Sequence, residues 1–183
     1  MQKTNTCIVW LLLLIMFFGT GRAQEAKRFG QKGVTEAGGS FAFTSTVPVE
    51  NGQTRNGYSV YEGSVYIGYF VADGIELGVN PLGVQGSSYG GSGSTQLTIN
   101  AAAAYNFRVE GKNIPFVEGI AGVLLALTSG YDYGLRAGVK NAVAERVLVT
   151  LGVQYLLISY SNERSSGRYG SNQFMFSVGV TVW

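Results

Sequence analysis

The sequence predicts an all-β fold, an eight-stranded antiparallel up-and-down transmembrane β-barrel, and three observations carry that prediction. The only long apolar run, residues 8–18, stands at the extreme N-terminus behind Lys3 and reads as an export leader. The remainder of the chain divides into segments of roughly ten residues in which apolar side chains alternate with small or polar ones, the period of a strand with two unlike faces. The connections between these segments alternate short and long, as in barrels that cross an outer membrane.

The leader comes first. Its apolar stretch has 11 residues, too few for a spanning helix, which needs roughly 20. Gly21 and Ala23 place small residues at the −3 and −1 positions, so cleavage is expected after Ala23 and the signal peptide is 1–23. An uncleaved N-terminal anchor is the other reading. Cys7, the single cysteine, precedes the apolar run, whereas a lipoprotein cysteine would follow it. Cleavage removes Cys7, so no disulfide staples the exported chain. Residues 24–33 are polar and carry Lys27, Arg28 and Lys32, and are expected to form a flexible tail. The barrel domain is 34–183.

Eight strands are expected within it. The first, 34–47, sets Phe41 and Phe43 against Gly38, Ser40 and Ala42. The second, 57–70, sets Val65, Ile67 and Tyr69 against Glu62, Ser64 and Tyr66. The third, 75–85, sets Ile75, Leu77 and Val79 against Glu76, Gly78 and Asn80. The fourth, 95–107, alternates most cleanly, with Leu97, Ile99, Ala101, Ala103, Tyr105 and Phe107 on one face. The fifth, 114–127, opposes Val117, Ala121, Val123 and Leu125 to Glu118, Ile120 and Gly122. The sixth, 134–141, opposes Leu135, Ala137 and Val139 to Arg136, Gly138 and Lys140. The seventh, 147–160, and the eighth, 172–183, continue the pattern, the latter with Phe174, Phe176, Val178, Val180 and Val182 on one face.

Alternation alone fits a soluble barrel with its apolar face inward as well as a membrane barrel with that face toward lipid. The connections separate the two. Segments 71–74, 108–113 and 142–146 are short. Segments 48–55, 87–94, 128–133 and 161–170 are mostly longer and rich in Gly, Ser, Asn and Tyr. Short turns on one side and longer loops on the other are the habit of outer-membrane barrels, and an even strand number returns both ends to the short-turn side. Aromatic residues gather there too. Tyr69, Phe70, Tyr105, Phe107, Phe116 and Trp183 are expected to form a periplasmic-side belt at the membrane–water boundary, where an apolar ring with a wet polar group is most at ease. Phe43, Tyr160 and Phe174 are candidates for the opposite belt.

Composition agrees. There are 27 glycines and only 3 prolines, and tyrosine and phenylalanine number 11 and 10. Glycine at that level suits curved sheet and disfavours helix. Of 13 basic residues, Lys3 and Arg22 leave with the leader, so 11 basic residues face 11 acidic ones in the exported chain. A neutral chain carries no electrostatic footprint for nucleic acid.

The stretch 68–78, Gly-Tyr-Phe-Val-Ala-Asp-Gly-Ile-Glu-Leu-Gly, resembles the second hairpin of the small, porin-like outer-membrane protein β-barrel family of Gram-negative bacteria. Residues 114–122 resemble that family's fifth strand, 134–155 its sixth and seventh, and a final aromatic residue is usual in it. The resemblance spans most of 34–183. It implies an integral outer-membrane location, contact with outer-membrane lipid and lipopolysaccharide, and help from the barrel-assembly machinery during insertion. It says almost nothing of activity. One departure is plain: Trp183 is out of phase with the apolar series that ends at Val182, so either the strand bulges or Trp183 packs at the rim.

The chain has no histidine, which excludes Ser–His and Cys–His nucleophilic catalysis, histidine metal sites and the histidine-dependent lipid enzymes of the outer membrane. Gly90, Gly91 and Gly93 do not lie between a strand and a helix, so they do not suggest a phosphate loop. No catalytic, cofactor or metal site is expected. The notable charges are those on the inward faces: Glu62, Glu76, Glu118, Arg136 and Lys140, with Glu36 a candidate sixth. Buried charge persists only when paired or wet, so these residues are expected to form an ion-pair network plugging the lumen, which in a barrel of eight strands is just wide enough for side chains to fill. Outside, Tyr89, Tyr131, Tyr133 and Tyr169 with Arg164 and Arg168 are candidates for an adhesive surface.

The function expected is that of a non-enzymatic outer-membrane β-barrel protein with a structural or surface-interaction role. Two alternatives stand beside it: a narrow passive pore for small solutes, and a soluble exported barrel binding an apolar ligand, which requires Val65, Ile67, Leu97 and Ile99 to face inward.

Overall fold

The computed structural model describes residues 28–46, 49–50, 53–54, 58–89, 92–107, 111–125, 130–161 and 168–183. The expected leader and the first four residues of the expected tail lie outside them. Eight long strands make the wall: β1 (Thr35–Thr46), β2 (Tyr58–Ala72), β3 (Ile75–Tyr89), β4 (Ser92–Asn106), β5 (Asn113–Leu125), β6 (Gly130–Ala144), β7 (Val147–Ser161) and β8 (Arg168–Val182). Each pairs antiparallel with its neighbours in sequence, and β8 closes on β1. Between β1 and β2, Val49–Glu50 pairs with Gln53–Thr54 in a small separate ladder.

Glycine and aspartate shape the tight turns. Ala72 pairs with Ile75 across Asp73 and Gly74, and Gly74 takes a φ of 78°, a left-handed conformation that a β-carbon would strain. The strands run further toward the loop end than their apolar pattern suggests. Ser87 pairs with Ser94 and Tyr89 with Ser92, so the long loop expected at 87–94 is largely wall. The sixth strand likewise begins at Gly130, not Gly134.

One irregularity alters the phase of the wall. Against β4, β3 advances from Asn80 to Gly83 while its partner moves only from Asn100 to Thr98, and the same slip appears against β2. One extra residue is thus accommodated at 80–83, a β-bulge. Pro81 lies within it and has no N–H to give to a ladder. Before the bulge the outward residues are Ile75, Leu77 and Val79; after it they are Leu82 and Val84.

The apolar face turns outward. Val65, Ile67, Leu97 and Ile99 are 46, 46, 45 and 44% exposed, which removes the inward apolar lining that a soluble ligand-binding barrel requires. The coat of exposed Val, Leu, Ile, Phe and Tyr extends around all eight strands, far beyond the patches a water-soluble monomer shows.

The interior is filled in three tiers. Toward the loop end, Ala42, Val60, Leu124, Leu156, Ile158 and Met175 form an apolar cluster with Tyr58 against it. The middle is polar and charged. At the short-turn end, Phe70, Phe116 and Leu148 are wholly or almost wholly buried.

Candidate functional site

The charged tier is assembled by strand phase. Inward positions of β1, β2, β3, β5 and β6 bring Glu36, Glu62, Glu76, Glu118, Arg136 and Lys140 into one narrow space. Lys140 Nζ donates to Glu36 Oε2 at 2.6 Å and to Glu76 Oε2 at 3.1 Å. Glu76 also accepts from Tyr66 Oη at 2.9 Å and from Asn106 Nδ2 at 3.1 Å. Arg136, on the strand next to Glu118, reaches both of its carboxylate oxygens, at 2.7 and 2.8 Å. Glu62 stands apart from these pairs and accepts from Gln154 Nε2 at 3.1 Å. Each carboxylate therefore has a donor, as burial demands.

Lys140 and Glu36 lie on strands that are not neighbours, so adjacency in the sheet does not foretell their pairing; closure of the barrel brings the strands face to face. Asp132 was hidden for a different reason. Expected in a loop, it lies on the inner face of β6, where its Oδ2 accepts from Asn100 Nδ2 at 3.2 Å. The signal was the even-numbered series Arg136, Gly134, Asp132, which continues the inward phase toward the loop end. Gln85, Gln173 and Tyr58 form a further inward chain, which Gln96 joins by donating to Gln85.

The expected aromatic belt divides. Tyr69, Tyr105 and Phe107 face outward, the last two in edge contact at 4.9 Å. Phe70 and Phe116 do not belong to the belt: they are 0 and 2% exposed. Position near a strand end says nothing about which face a residue occupies. Period 2 puts Phe70 in phase with Glu62 and Phe116 in phase with Glu118, both inward. These rings cover the charged tier. Lys140 Nζ lies 5.6 Å from the Phe116 centroid and Arg136 Cζ lies 5.8 Å from it, within cation–π range.

Trp183 lies past the end of β8 without a bulge. Its N–H donates to Arg146 O at 3.3 Å, and its ring meets Phe29 edge-on at 5.4 Å. It packs at the rim. The described part of the expected tail is also fixed, since Gly33 N donates to Phe70 O and Gly74 N to Gly30 O. Of the expected adhesive cluster, Tyr131 and Tyr133 lie on the outer face of β6. Arg164 and the side chains of Tyr89, Arg168 and Tyr169 lie outside the described residues, as does the side chain of Tyr160 from the expected second belt. Phe43 and Phe174 face outward.

Two small cavities lie among the described inward residues. A cavity of about 10 Å³ lies among Ser40, Glu62, Asn80, Asn100 and Arg136. Another of about 20 Å³ lies among Glu36, Tyr66, Glu118 and Lys140. Each has room for about one water. Tyr66 lies across the lumen because Gly78 lets its ring rest against the backbone; a β-carbon there would collide with the ring. Gly78→Ala is expected to displace the ring from Glu76 and to lower stability by about 1–3 kcal/mol, measured as the urea midpoint of the refolded barrel. An unchanged midpoint would mean that the Tyr66–Glu76 bond contributes nothing.

A closed wall of eight antiparallel strands, apolar outside and polar within, is the fold that small barrels of bacterial outer membranes share. Neisserial surface protein A has this fold, with a TM-score of 0.58 and 16% identity, the match covering 81% of this chain and 94% of that one. Outer membrane protein OprG from Pseudomonas aeruginosa has it too, with a TM-score of 0.52 and 13% identity over 83% of this chain and 96% of that one. At these identities the likeness is one of fold. No protein-family model matches the chain, and no curated protein matches it in sequence.

Proposed function

We propose that this chain is an integral outer-membrane barrel, exported through a cleaved leader, that works without enzymatic chemistry as a structural or surface-interaction scaffold closed to solutes. The observation that carries this reading is the filled lumen: an apolar cluster at one end, aromatic rings at the other, and paired charges sealed between. An ion would have to displace the paired charges and pass the apolar cluster beside them, at high desolvation cost. On this reading the short turns are periplasmic and the long connections face the outside. A strand of 15 residues, as β2 is, is about 50 Å long at ~3.3 Å per residue and rises some 35–40 Å when tilted by about 40°. That exceeds an apolar band of about 25 Å, so the loop end stands clear of the lipid.

Planar bilayers test the proposal. The purified barrel is expected to leave the membrane resistance unchanged. Discrete conductance steps in proportion to the protein added would instead establish the narrow-pore reading.

A further inference from the structure

Among the described residues, the seam that closes the barrel is its shortest ladder. β1 pairs with β8 over only seven residues of each strand, from Ala37 with Val182 to Phe43 with Phe176. The ladder between β7 and β8 runs over all fifteen residues of each strand, from Arg168 with Ser161 to Val182 with Val147. A closing ladder of this length is the natural place for the wall to part, because fewer backbone bonds must break there at once.

Residues 28–33 lie across the short-turn mouth just beyond this seam. Three hydrogen bonds tie them to one side. Gly33 N donates to Phe70 O at 2.8 Å, Gly74 N to Gly30 O at 2.7 Å, and Lys32 N to Asp73 Oδ1 at 2.7 Å. All three bonds tie the segment to β2 and to the turn after it. From that anchored base Phe29 extends its ring to the other side of the seam. It meets Phe70 edge-on at 5.0 Å and Trp183 at 5.4 Å, and Lys140 Nζ lies 5.0 Å from its centroid. Trp183 directly follows the last residue of β8.

We propose that residues 28–33 are a latch on the closing seam: Phe29, fixed to the β2 side, holds Trp183 on the β8 side, so that β1 and β8 separate only after the two rings part. The latch accounts for the phase of Trp183. A ring in step with Val180 and Val182 would point outward, away from Phe29.

Hydrogen exchange on the barrel folded into lipid vesicles tests this directly. In Phe29→Ala and in Trp183→Ala, amides of 37–43 and 176–182 are expected to exchange about three- to tenfold faster, the equivalent of one aromatic pair. The ladder between β4 and β5 is expected to keep its wild-type rates. The double variant is expected to open the seam no faster than the faster single variant, because both remove the same contact. Phe107→Ala, which breaks the Tyr105–Phe107 contact elsewhere on the wall, is expected to leave the seam unchanged. If Trp183→Ala does not assemble, Phe29→Leu keeps Trp183 intact and still removes the ring edge, so faster exchange confined to the seam remains the supporting result. Seam rates within twofold of wild type in the Phe29 variants, or acceleration spread evenly over all ladders, would overturn the proposal.

Discussion

Replacing Lys140 by methionine is expected to destabilise the barrel by about 3–5 kcal/mol, the range for removing one partner of a buried ion pair. Lys140 is the cation shared by Glu36 and Glu76, so its loss leaves two buried carboxylates facing each other with no cation between them. Methionine keeps most of the volume, so the effect is one of charge and hydrogen bonding and not of a cavity. The measurement is the unfolding midpoint in urea from lipid vesicles, read by the gel shift between folded and boiled protein. Adding Glu36→Gln and Glu76→Gln to Lys140→Met is expected to recover most of the loss, because an uncharged set no longer needs the ammonium. A single variant within about 1 kcal/mol of wild type would refute the view that Lys140 holds the lower lumen together.

Ile99→Arg is the second large effect, expected to cost about 2–4 kcal/mol in a bilayer, the range for arginine at the midplane on a lipid-facing strand. Ile99 lies near the middle of β4 and faces outward. The same charge placed in the short turn, as Glu145→Arg, is expected to stay within about 0.5 kcal/mol. The contrast is informative because exposure alone predicts no difference between the two positions. On a protein surrounded by water, an arginine at a half-exposed wall position would be nearly neutral. Equal tolerance at both positions would therefore contradict the membrane setting.

What was legible in the sequence was whatever the two unlike faces of a strand leave behind. Leu97, Ile99, Ala101 and Ala103 announce β4 because outward-facing and lumen-facing positions carry different chemistry. The same logic brings out Glu76, Glu118, Arg136 and Lys140 as inward charges. It fails where that contrast fades. Near the loop end, Ser87, Ser88 and Ser94 carry no apolar signal, since a wall with polar groups on both faces looks like a loop; the strands continue there all the same, and Asp132 enters the lumen with only its phase relative to Arg136 to mark it. It fails again at Pro81, where an extra residue resets the phase without changing the composition. Partner choice was the third blind spot. Lys140 finds Glu36 across a closed ring, and Phe29 finds Trp183 from the far end of the chain; neither distance is written in a local pattern.

The wall completes its own pairing around much of the loop end. Tyr58 pairs with Tyr89, Tyr89 with Ser92, and Arg168 with Ser161, so the ladders from β2 to β4 and between β7 and β8 run to the ends of their strands. The Ser59 hydroxyl donates to that of Ser45 at 3.2 Å, and those of Ser87 and Ser94 lie 2.8 Å apart. A socket finished in this way asks nothing of the heads fitted into it. Connecting segments of different length or sequence are therefore expected to be exchangeable at that end without retuning the ladders beneath them.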